Sequence, residues 1–283
     1  MKLKNFLAMM AIALCAVACS DDDEKTEDVN LAQEVAGTYN GYTSAAFTYS
    51  PTPTVTPKET VKVTDKGDSK VDITLTSATW GEYKLTDVPV TLSGSTYSMS
   101  GSGNVTIGGY NGGGSSEYPF ELKGTIDAAK EEVSFVVTLN IMGGTTIAFT
   151  EGDAPVAAVL AGTYNGNLEL SVAGSSQGDP VESSVKMEAA EDGSLTMTLA
   201  GFAAMGGMQL GDIVITGVEA TTDDYSSYAL SGTVNADVAM GQASIKVTGE
   251  VEGTVKDGKA DITFTLTPGA MPMAITAKFT SAE

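Results

Sequence analysis

Histidine is absent from the sequence, and the two cysteines, Cys15 and Cys19, both lie close to the N-terminus. Because histidine is the commonest general base and metal ligand, its absence excludes Ser/His/Asp and Cys/His catalytic arrangements. The chain after Cys19 has no thiol for a disulfide, a nucleophile or a metal site. A catalytic pair of carboxylates stays formally open among 36 acidic residues, although no spacing places two of them in one cleft. We therefore expect a protein that is not an enzyme and binds no metal or cofactor.

Arginine is absent too, and 36 acidic residues outnumber 15 basic ones, which gives a net charge of −21. Proteins bind nucleic acids through clustered Lys and Arg side chains that displace counterions from the phosphates. A surface this acidic repels a polyanion instead. The charge balance therefore excludes a nucleic-acid partner.

Long apolar runs are lacking except near the N-terminus, where two lysines precede the uncharged stretch Phe6–Ala18. This stretch is shorter than the roughly 20 residues that a membrane-spanning helix needs. We predict a signal peptide over residues 1–18. The last part, Ala16-Val17-Ala18-Cys19, resembles the lipobox of bacterial lipoproteins, which implies that Cys19 is acylated and anchors the protein in a membrane. An ordinary signal peptide with an incidental cysteine is the alternative.

The segment after Cys19 is strongly acidic, with six acids within Ser20–Asp28. Like charges repel and apolar residues are few, so we predict an extended, solvated tether over residues 19–32. An acidic run directly after a lipidated cysteine resembles the surface-export signal of Bacteroidota lipoproteins. The resemblance implies an outer-membrane, lipid-anchored protein that is exposed at the cell surface. A spacer without a sorting role is the alternative.

The sequence Ala-Gly-Thr-Tyr-Asn-Gly occurs twice, at Ala36–Gly41 and at Ala161–Gly166. Copies 125 residues apart are spaced like small domains and not like solenoid repeats. A second match, of Thr125–Phe135 with Thr254–Phe264, joins the later parts of the two copies. We predict a duplicated domain, with copies at 33–152 and 159–283 and a linker at 153–158.

Both copies consist of short segments in which apolar and polar residues alternate, as in Val133–Ile141. This period of two predicts about eight strands per copy, each with one face in a core and one in water. Closing such a sheet into a barrel removes its unpaired edges. We therefore expect an all-β protein of two tandem eight-stranded antiparallel up-and-down barrels.

An immunoglobulin-like sandwich is disfavoured because neither copy has a tryptophan with a cysteine pair. Pro51, Pro53 and Pro57 predict a loop.

The strand that opens each copy begins with Gly-Thr-Tyr, which resembles the Gly-x-Trp signature of lipocalins and other calycins. Copy 2 is more closely similar to the calycin-like β-barrel domain of Bacteroidota lipoproteins, in Leu160–Gly166 and in Gly211–Ile215. Copy 1 shares the opening but has Lys84–Val90 in place of the second segment. The resemblance implies a calycin-like fold and an envelope location, and no catalytic residues.

The candidate pocket residues are large and mostly apolar. In copy 2, small residues alternate with Phe202, Met205 and Met208, and methionine adapts to irregular apolar surfaces. In copy 1, Trp80 and Tyr83 either stack on a sugar or cap the core. A plain core role is open for the methionines, and copper is disfavoured without Cys or His ligands. We expect the pocket in copy 2, with Trp80 closing the mouth of copy 1.

Two functions remain open. An eight-stranded barrel can hold one small ligand, so the leading hypothesis is an envelope protein that captures a small apolar or amphipathic ligand in a barrel mouth. The rival is a surface scaffold with filled barrels that contacts carbohydrate or protein.

Overall fold

The computed structural model describes residues 29–108, 115–204, 208–269 and 273–282. The predicted signal peptide, Cys19 and most of the tether lie outside the described residues. Barrel 1 comprises α1 (Leu31–Val35), β1 (Gly37–Phe47), β2 (Ser50–Gly67), β3 (Lys70–Ser77), β4 (Gly81–Ser93), β5 (Thr96–Ile107), β6 (Ser116–Asp127), β7 (Val133–Leu139) and β8 (Thr145–Glu151).

The strands of barrel 1 pair in chain order, each antiparallel to the next, and β8 pairs back onto β1. Burial alternates residue by residue along the strands, as the period of two requires. Apolar side chains therefore fill the inside, and every strand of the ring has a paired strand on each side. The predicted closed barrel is confirmed.

Barrel 2 follows the same plan with three short additional strands. It comprises α2 (Val156–Leu160), β9 (Gly162–Val172), β10 (Ser175–Ser176), β11 (Val181–Ala189), β12 (Leu195–Leu199), β13 (Phe202–Ala204), β14 (Met208–Leu210), β15 (Ile213–Thr221), β16 (Ser227–Met240), β17 (Ala243–Lys256), β18 (Lys259–Pro268) and β19 (Ile275–Ser281). The ring closes where β19 pairs with β9. Strand β10 pairs with the end of β9, and β13 and β14 form a separate hairpin.

The proline-rich segment is part of strand β2, so the loop prediction for Pro51, Pro53 and Pro57 was wrong. Strand β3 reaches only as far as Thr60 on β2, and the residues before Thr60 pair with β1 alone. Proline is tolerated on a strand whose second side has no neighbour, because no partner there needs its missing N–H.

A tyrosine of the repeated sequence anchors the short helix that precedes each barrel. The Tyr39 hydroxyl donates a hydrogen bond to the carbonyl of Val35 over 2.8 Å, and the Tyr164 hydroxyl donates to Leu160 over 3.1 Å. Helix α1 also takes Leu31 and Ala32 from the predicted tether, and Ala32 is fully buried. Helix α2 likewise begins inside the predicted linker.

The last glycine of the repeated sequence lies where the first and last strands of each barrel meet. A Cβ atom on Gly41 would collide with the carbonyl oxygen of Thr150 on β8. Gly166 has the same relationship to Thr280 on β19. Only glycine permits this close approach of two backbones, so the repeated sequence closes each ring.

Each barrel has its own hydrophobic core, built from side chains on the inner face of its strands. Residues such as Leu75 and Phe149 in barrel 1, and Leu199 and Phe264 in barrel 2, have no exposed surface. A ligand-sized cavity would leave such lining side chains accessible, so both barrels are filled in this structure. No helix among the described residues is both long and apolar enough to cross a membrane.

Candidate functional site

Strand pairing establishes which positions of the two barrels correspond. Tyr39 pairs with Val61, as Tyr164 pairs with Val185. On the next two strands, Leu75 and Tyr83 of barrel 1 take the places of Leu199 and Ile213 of barrel 2. The equivalent positions used below are Thr43 and Leu168, Glu59 and Ser183, Ser77 and Gly201, and Tyr83 and Ile213.

Five residues at one end of barrel 1 form what we call the mouth cluster: Thr43, Glu59, Ser77, Trp80 and Tyr83. Trp80 lies in the β3–β4 turn, and this end of the barrel is opposite to α1, which is bonded to Ser69 of the β2–β3 turn. Glu59 is 1% exposed and Tyr83 is fully buried, whereas Trp80 is partly buried. Apart from tyrosines, the polar residues that are buried as a whole within the described ranges are Thr43, Glu59, Ser77 and Thr145, all in barrel 1.

Four atoms of the mouth cluster are buried without a hydrogen-bond partner: Thr43 Oγ1, Glu59 Oε2, Trp80 Nε1 and Tyr83 Oη. The other carboxylate oxygen, Glu59 Oε1, accepts a hydrogen bond from the N–H of Ala78 over 3.1 Å. The Ser77 hydroxyl accepts one from the N–H of Trp80, also over 3.1 Å. The β3–β4 turn thus holds the cluster on one side and leaves its inward-facing polar atoms unsatisfied.

Barrel 2 is apolar or small at the equivalent positions. Leu168 replaces Thr43 and Ile213 replaces Tyr83, and both side chains are completely buried. Gly201 replaces Ser77, and Ser183 replaces Glu59 with a single buried hydroxyl that lacks a partner. At the positions equivalent to Glu59 and Tyr83, barrel 2 therefore has neither a carboxyl group nor a phenol.

The electrostatic environment of the cluster favours neutral side chains. Burial raises the pKa of Glu59, although the Ser77 hydroxyl and the Ala78 N–H oppose part of this rise. Burial, followed by the nearby Glu59, raises the pKa of Tyr83 as well. No group of three or more Asp, Glu, Cys or His side chains that could hold a metal ion occurs within the described residues.

Aromatic rings surround the cluster. Trp80 packs against Phe47 of the β1–β2 hairpin with the ring centres 5.3 Å apart, and both side chains are partly exposed. Deeper in the barrel, Tyr83 meets Phe120 edge-to-face at 5.2 Å. The mouth therefore has an apolar aromatic rim above a polar floor.

The structure brings together only two of the predicted pocket residues, Trp80 and Tyr83. Phe202 is 5% exposed and pairs through β13 with Leu210, so its ring belongs to the core of barrel 2. Met208 starts β14, while its side chain and the whole of Met205 lie outside the described residues. The lipidation site, Cys19, also lies outside them.

Sequence reasoning missed Thr43 and Glu59. A signal for Glu59 was present, because it stands in phase with Val61 and Val63, which face the core. An acid at an inward position of a strand needs a partner or a function. Thr43 gives no such signal, since threonine is common in strands.

A cleft of about 740 Å³ lies between the two barrels. Tyr42 and Pro53 line it from barrel 1, and Lys186 and Glu188 line it from barrel 2, where the last two form an ion pair of 2.8 Å. The Tyr225 hydroxyl joins the linker by donating to the Ala154 carbonyl over 2.9 Å. This cleft is a second concave surface, separate from the mouth of barrel 1.

The chain belongs to the calycin-like β-barrel domain family, whose sequence profile matches residues 35–150 and 160–282. The expected resemblance is therefore confirmed for both copies. The chain is also similar to a candidate outer membrane protein from Bacteroides fragilis of known crystal structure, with 30% identity and a TM-score of 0.72 over 90% of this chain and 100% of that one.

A second solved structure, a protein of unknown function from the DUF3598 family of Nostoc punctiforme, matches at 11% identity. It covers 89% of this chain and 98% of that chain, and its TM-score of 0.23 supports no conclusion. No curated protein matches the sequence.

Proposed function

We propose that this protein is a non-enzymatic, lipid-anchored protein of the outer membrane, exposed at the cell surface, and that it captures a small amphipathic ligand in the mouth of barrel 1. The lipobox-like sequence at Cys19 and the similarity to the Bacteroides fragilis outer membrane protein support the location. The four unpartnered buried atoms of the mouth cluster carry the ligand proposal.

Leaving a polar group buried and unpaired costs about 1–3 kcal/mol. Most buried polar groups in native proteins have a partner, so each exception needs an explanation. Barrel 2 demonstrates that this fold accommodates apolar residues at two of these positions, Leu168 and Ile213. A polar ligand group that pairs with these atoms explains why barrel 1 is different.

Ligand binding requires the aromatic rim to move, because the barrel is filled in this structure. Phe47 and Trp80 are only partly buried, so their displacement exposes little additional apolar surface. On the β5 side of Tyr83, β4 has no ladder of backbone hydrogen bonds, since β4 pairs with β5 only from Val90 to Ser93. A minor open state that the ligand stabilises is sufficient for binding.

Trp80 is the only tryptophan of the chain and so reports directly on the mouth of barrel 1. We would titrate the full-length chain with N-phenyl-1-naphthylamine, a neutral fluorophore that accepts energy from tryptophan. Saturable binding with quenching of Trp80 is expected. A variant with the residues of barrel 2, Thr43→Leu with Tyr83→Ile, should fold and lose this binding.

Phe202→Ala tests the original expectation of a pocket in barrel 2. If the pocket lies in barrel 1, this variant keeps the quenching of Trp80. If Phe202→Ala loses the binding and the barrel 1 variant keeps it, the pocket lies in barrel 2. Absence of binding to the unmodified chain would favour the scaffold function, with contacts at the outer surface and the cleft between the barrels.

A further inference from the structure

We propose that the ligand of barrel 1 has an uncharged polar end that both donates and accepts hydrogen bonds, such as a hydroxyl or a primary amide, and that this end binds inside the mouth. This inference rests on the proposed function and specifies its ligand class. It follows from which atoms of the mouth cluster lack partners and from which charges are missing around them.

The unpartnered atoms form a mixed set of donors and acceptors. The Trp80 indole N–H can only donate, and the Thr43 and Tyr83 hydroxyls can donate or accept. Glu59 Oε2 accepts when the carboxyl is ionised or when the proton is on the other oxygen. A hydroxyl or amide satisfies both kinds of atom, because each group carries a donor and an acceptor.

An anionic ligand end is disfavoured because no buried side chain of the mouth carries a positive charge. Lysine does not occur among the buried side chains of the described residues, and Glu59 is the only ionisable carboxyl in the cluster. A carboxylate would lose its hydration next to Glu59 without a counter-ion. The net charge of −21 repels anions before they reach the mouth.

A cationic ligand end is disfavoured for a different reason. An ammonium group would pair with an ionised Glu59, but it has no lone pair for the Trp80 N–H, which would stay unsatisfied. Burial also favours the neutral form of Glu59, and this weakens the attraction for a cation. An uncharged end therefore suits the whole set better than either ion.

The layers of the mouth determine the orientation of the ligand. Glu59 and Tyr83 are completely or almost completely buried, whereas Phe47 and Trp80 are partly exposed above them. A polar end must therefore pass the aromatic rim to reach its partners. The apolar part of the ligand then remains between the rings of Phe47 and Trp80, where it replaces their contact over 5.3 Å.

A competition experiment with four ligands of equal chain length tests this inference. The full-length Cys19→Ala chain is used, so that no attached acyl chain occupies the mouth. N-phenyl-1-naphthylamine is bound first, and decanol, decanamide, decanoate and decylamine are then added at neutral pH. Decanol and decanamide should displace the probe at concentrations at least tenfold lower than decanoate and decylamine.

Two variants separate a specific polar interaction from general affinity for an apolar chain. Tyr83→Phe should reduce the advantage of decanol over decanoate by several-fold, whereas Ser183→Ala, which removes the buried unpartnered hydroxyl of barrel 2, should leave it unchanged. Displacement by decanoate or decylamine that equals or exceeds displacement by decanol would overturn the neutral-end inference while the site itself stands. If the probe does not bind at all, the proposed function fails together with this inference.

Discussion

Tyr83 of barrel 1 and Ile213 of barrel 2 occupy the same position of the duplicated fold, one paired with Leu75 and the other with Leu199. The phenol of Tyr83 is completely buried without a hydrogen-bond partner, while Ile213 is equally buried and belongs to the hydrophobic core of barrel 2. The two copies of one architecture thus differ in polarity at this position. This difference is the observation on which the proposed ligand site in barrel 1 rests.

Tyr83→Phe removes a hydroxyl that has no partner, and we expect it to leave the free energy of unfolding unchanged or to raise it by up to about 1 kcal/mol. Tyr39→Phe is the matched control, because it removes a hydroxyl that donates to Val35 over 2.8 Å. This control should lower the free energy of unfolding by about 1 kcal/mol. Denaturant unfolding monitored by Trp80 fluorescence measures both. Equal destabilisation by the two substitutions would mean that Tyr83 has a partner in solution.

Glu59→Gln should change how stability depends on pH. The folded-state pKa of Glu59 is raised above its ordinary value of 4.5, so the folded chain binds more protons than the unfolded chain just above that pH. The Glu59 contribution to the free energy of unfolding therefore falls as pH rises from about 4.5 through the raised pKa. Relative to the unmodified protein, Glu59→Gln should gain stability over this range and match it below. If the free energies of unfolding of the two proteins differ by the same amount at every pH, the conclusion that burial raises the pKa of Glu59 is wrong.

The aspartates with lowered pKa values, Asp65, Asp127, Asp192 and Asp224, have the opposite effect and lose their contribution as pH falls. They are present in both proteins, and so they cancel in the comparison between Glu59→Gln and the unmodified chain.

Gly41→Ala should destabilise barrel 1 by about 3 kcal/mol, because the added methyl group collides with the backbone of β8. Gly166→Ala should do the same to barrel 2. Gly37→Ala is the control from the same repeated sequence, since its Cβ meets only ordinary contacts with Tyr39. Thermal melts followed by circular dichroism measure the loss of stability of each variant. The fluorescence of Trp80 then shows whether barrel 1 is the barrel that is destabilised. Tolerance of Gly41→Ala would show that the ring is open where β1 meets β8.

Cys19→Ala should move the protein from the membrane fraction to the soluble fraction. Several acyl chains contribute about 0.8 kcal/mol for each buried methylene group, which makes an anchor of this kind effectively permanent.

Simultaneous replacement of Asp21, Asp22, Asp23 and Glu24 by alanine should retain the anchor but protect the barrels from proteinase added to intact cells. Proteinase cleavage that is unchanged by this replacement would refute the export role of the acidic segment. Retention of Cys19→Ala in the membrane fraction would refute lipidation at Cys19.

The sequence predicts the fold well for two reasons. Alternation with a period of two indicates which residues face the core, and the long internal repeat indicates two copies of one domain. The sequence singles out Trp80 and Tyr83 as candidates, a hypothesis that stays open, but not their polar neighbours, since Thr43 and Glu59 lie far away in the chain. The role of Phe202 also depends on the fold. The segment between β12 and β15 is longer than the turn between β3 and β4, and it folds into the β13–β14 hairpin, which buries Phe202 in the core. Prolines in β2 mislead because only the closed topology reveals that one side of that strand is free.

The most direct measurement is the anomalous diffraction signal of bromine in crystals of the protein grown with ω-bromodecanol. We predict one bromine site at the mouth of barrel 1, next to Phe47 and Trp80, with the hydroxyl end of the ligand within hydrogen-bond distance of Tyr83 or Glu59. Bromine in the cleft between the barrels, bromine in barrel 2, or crystals without bound ligand would contradict it.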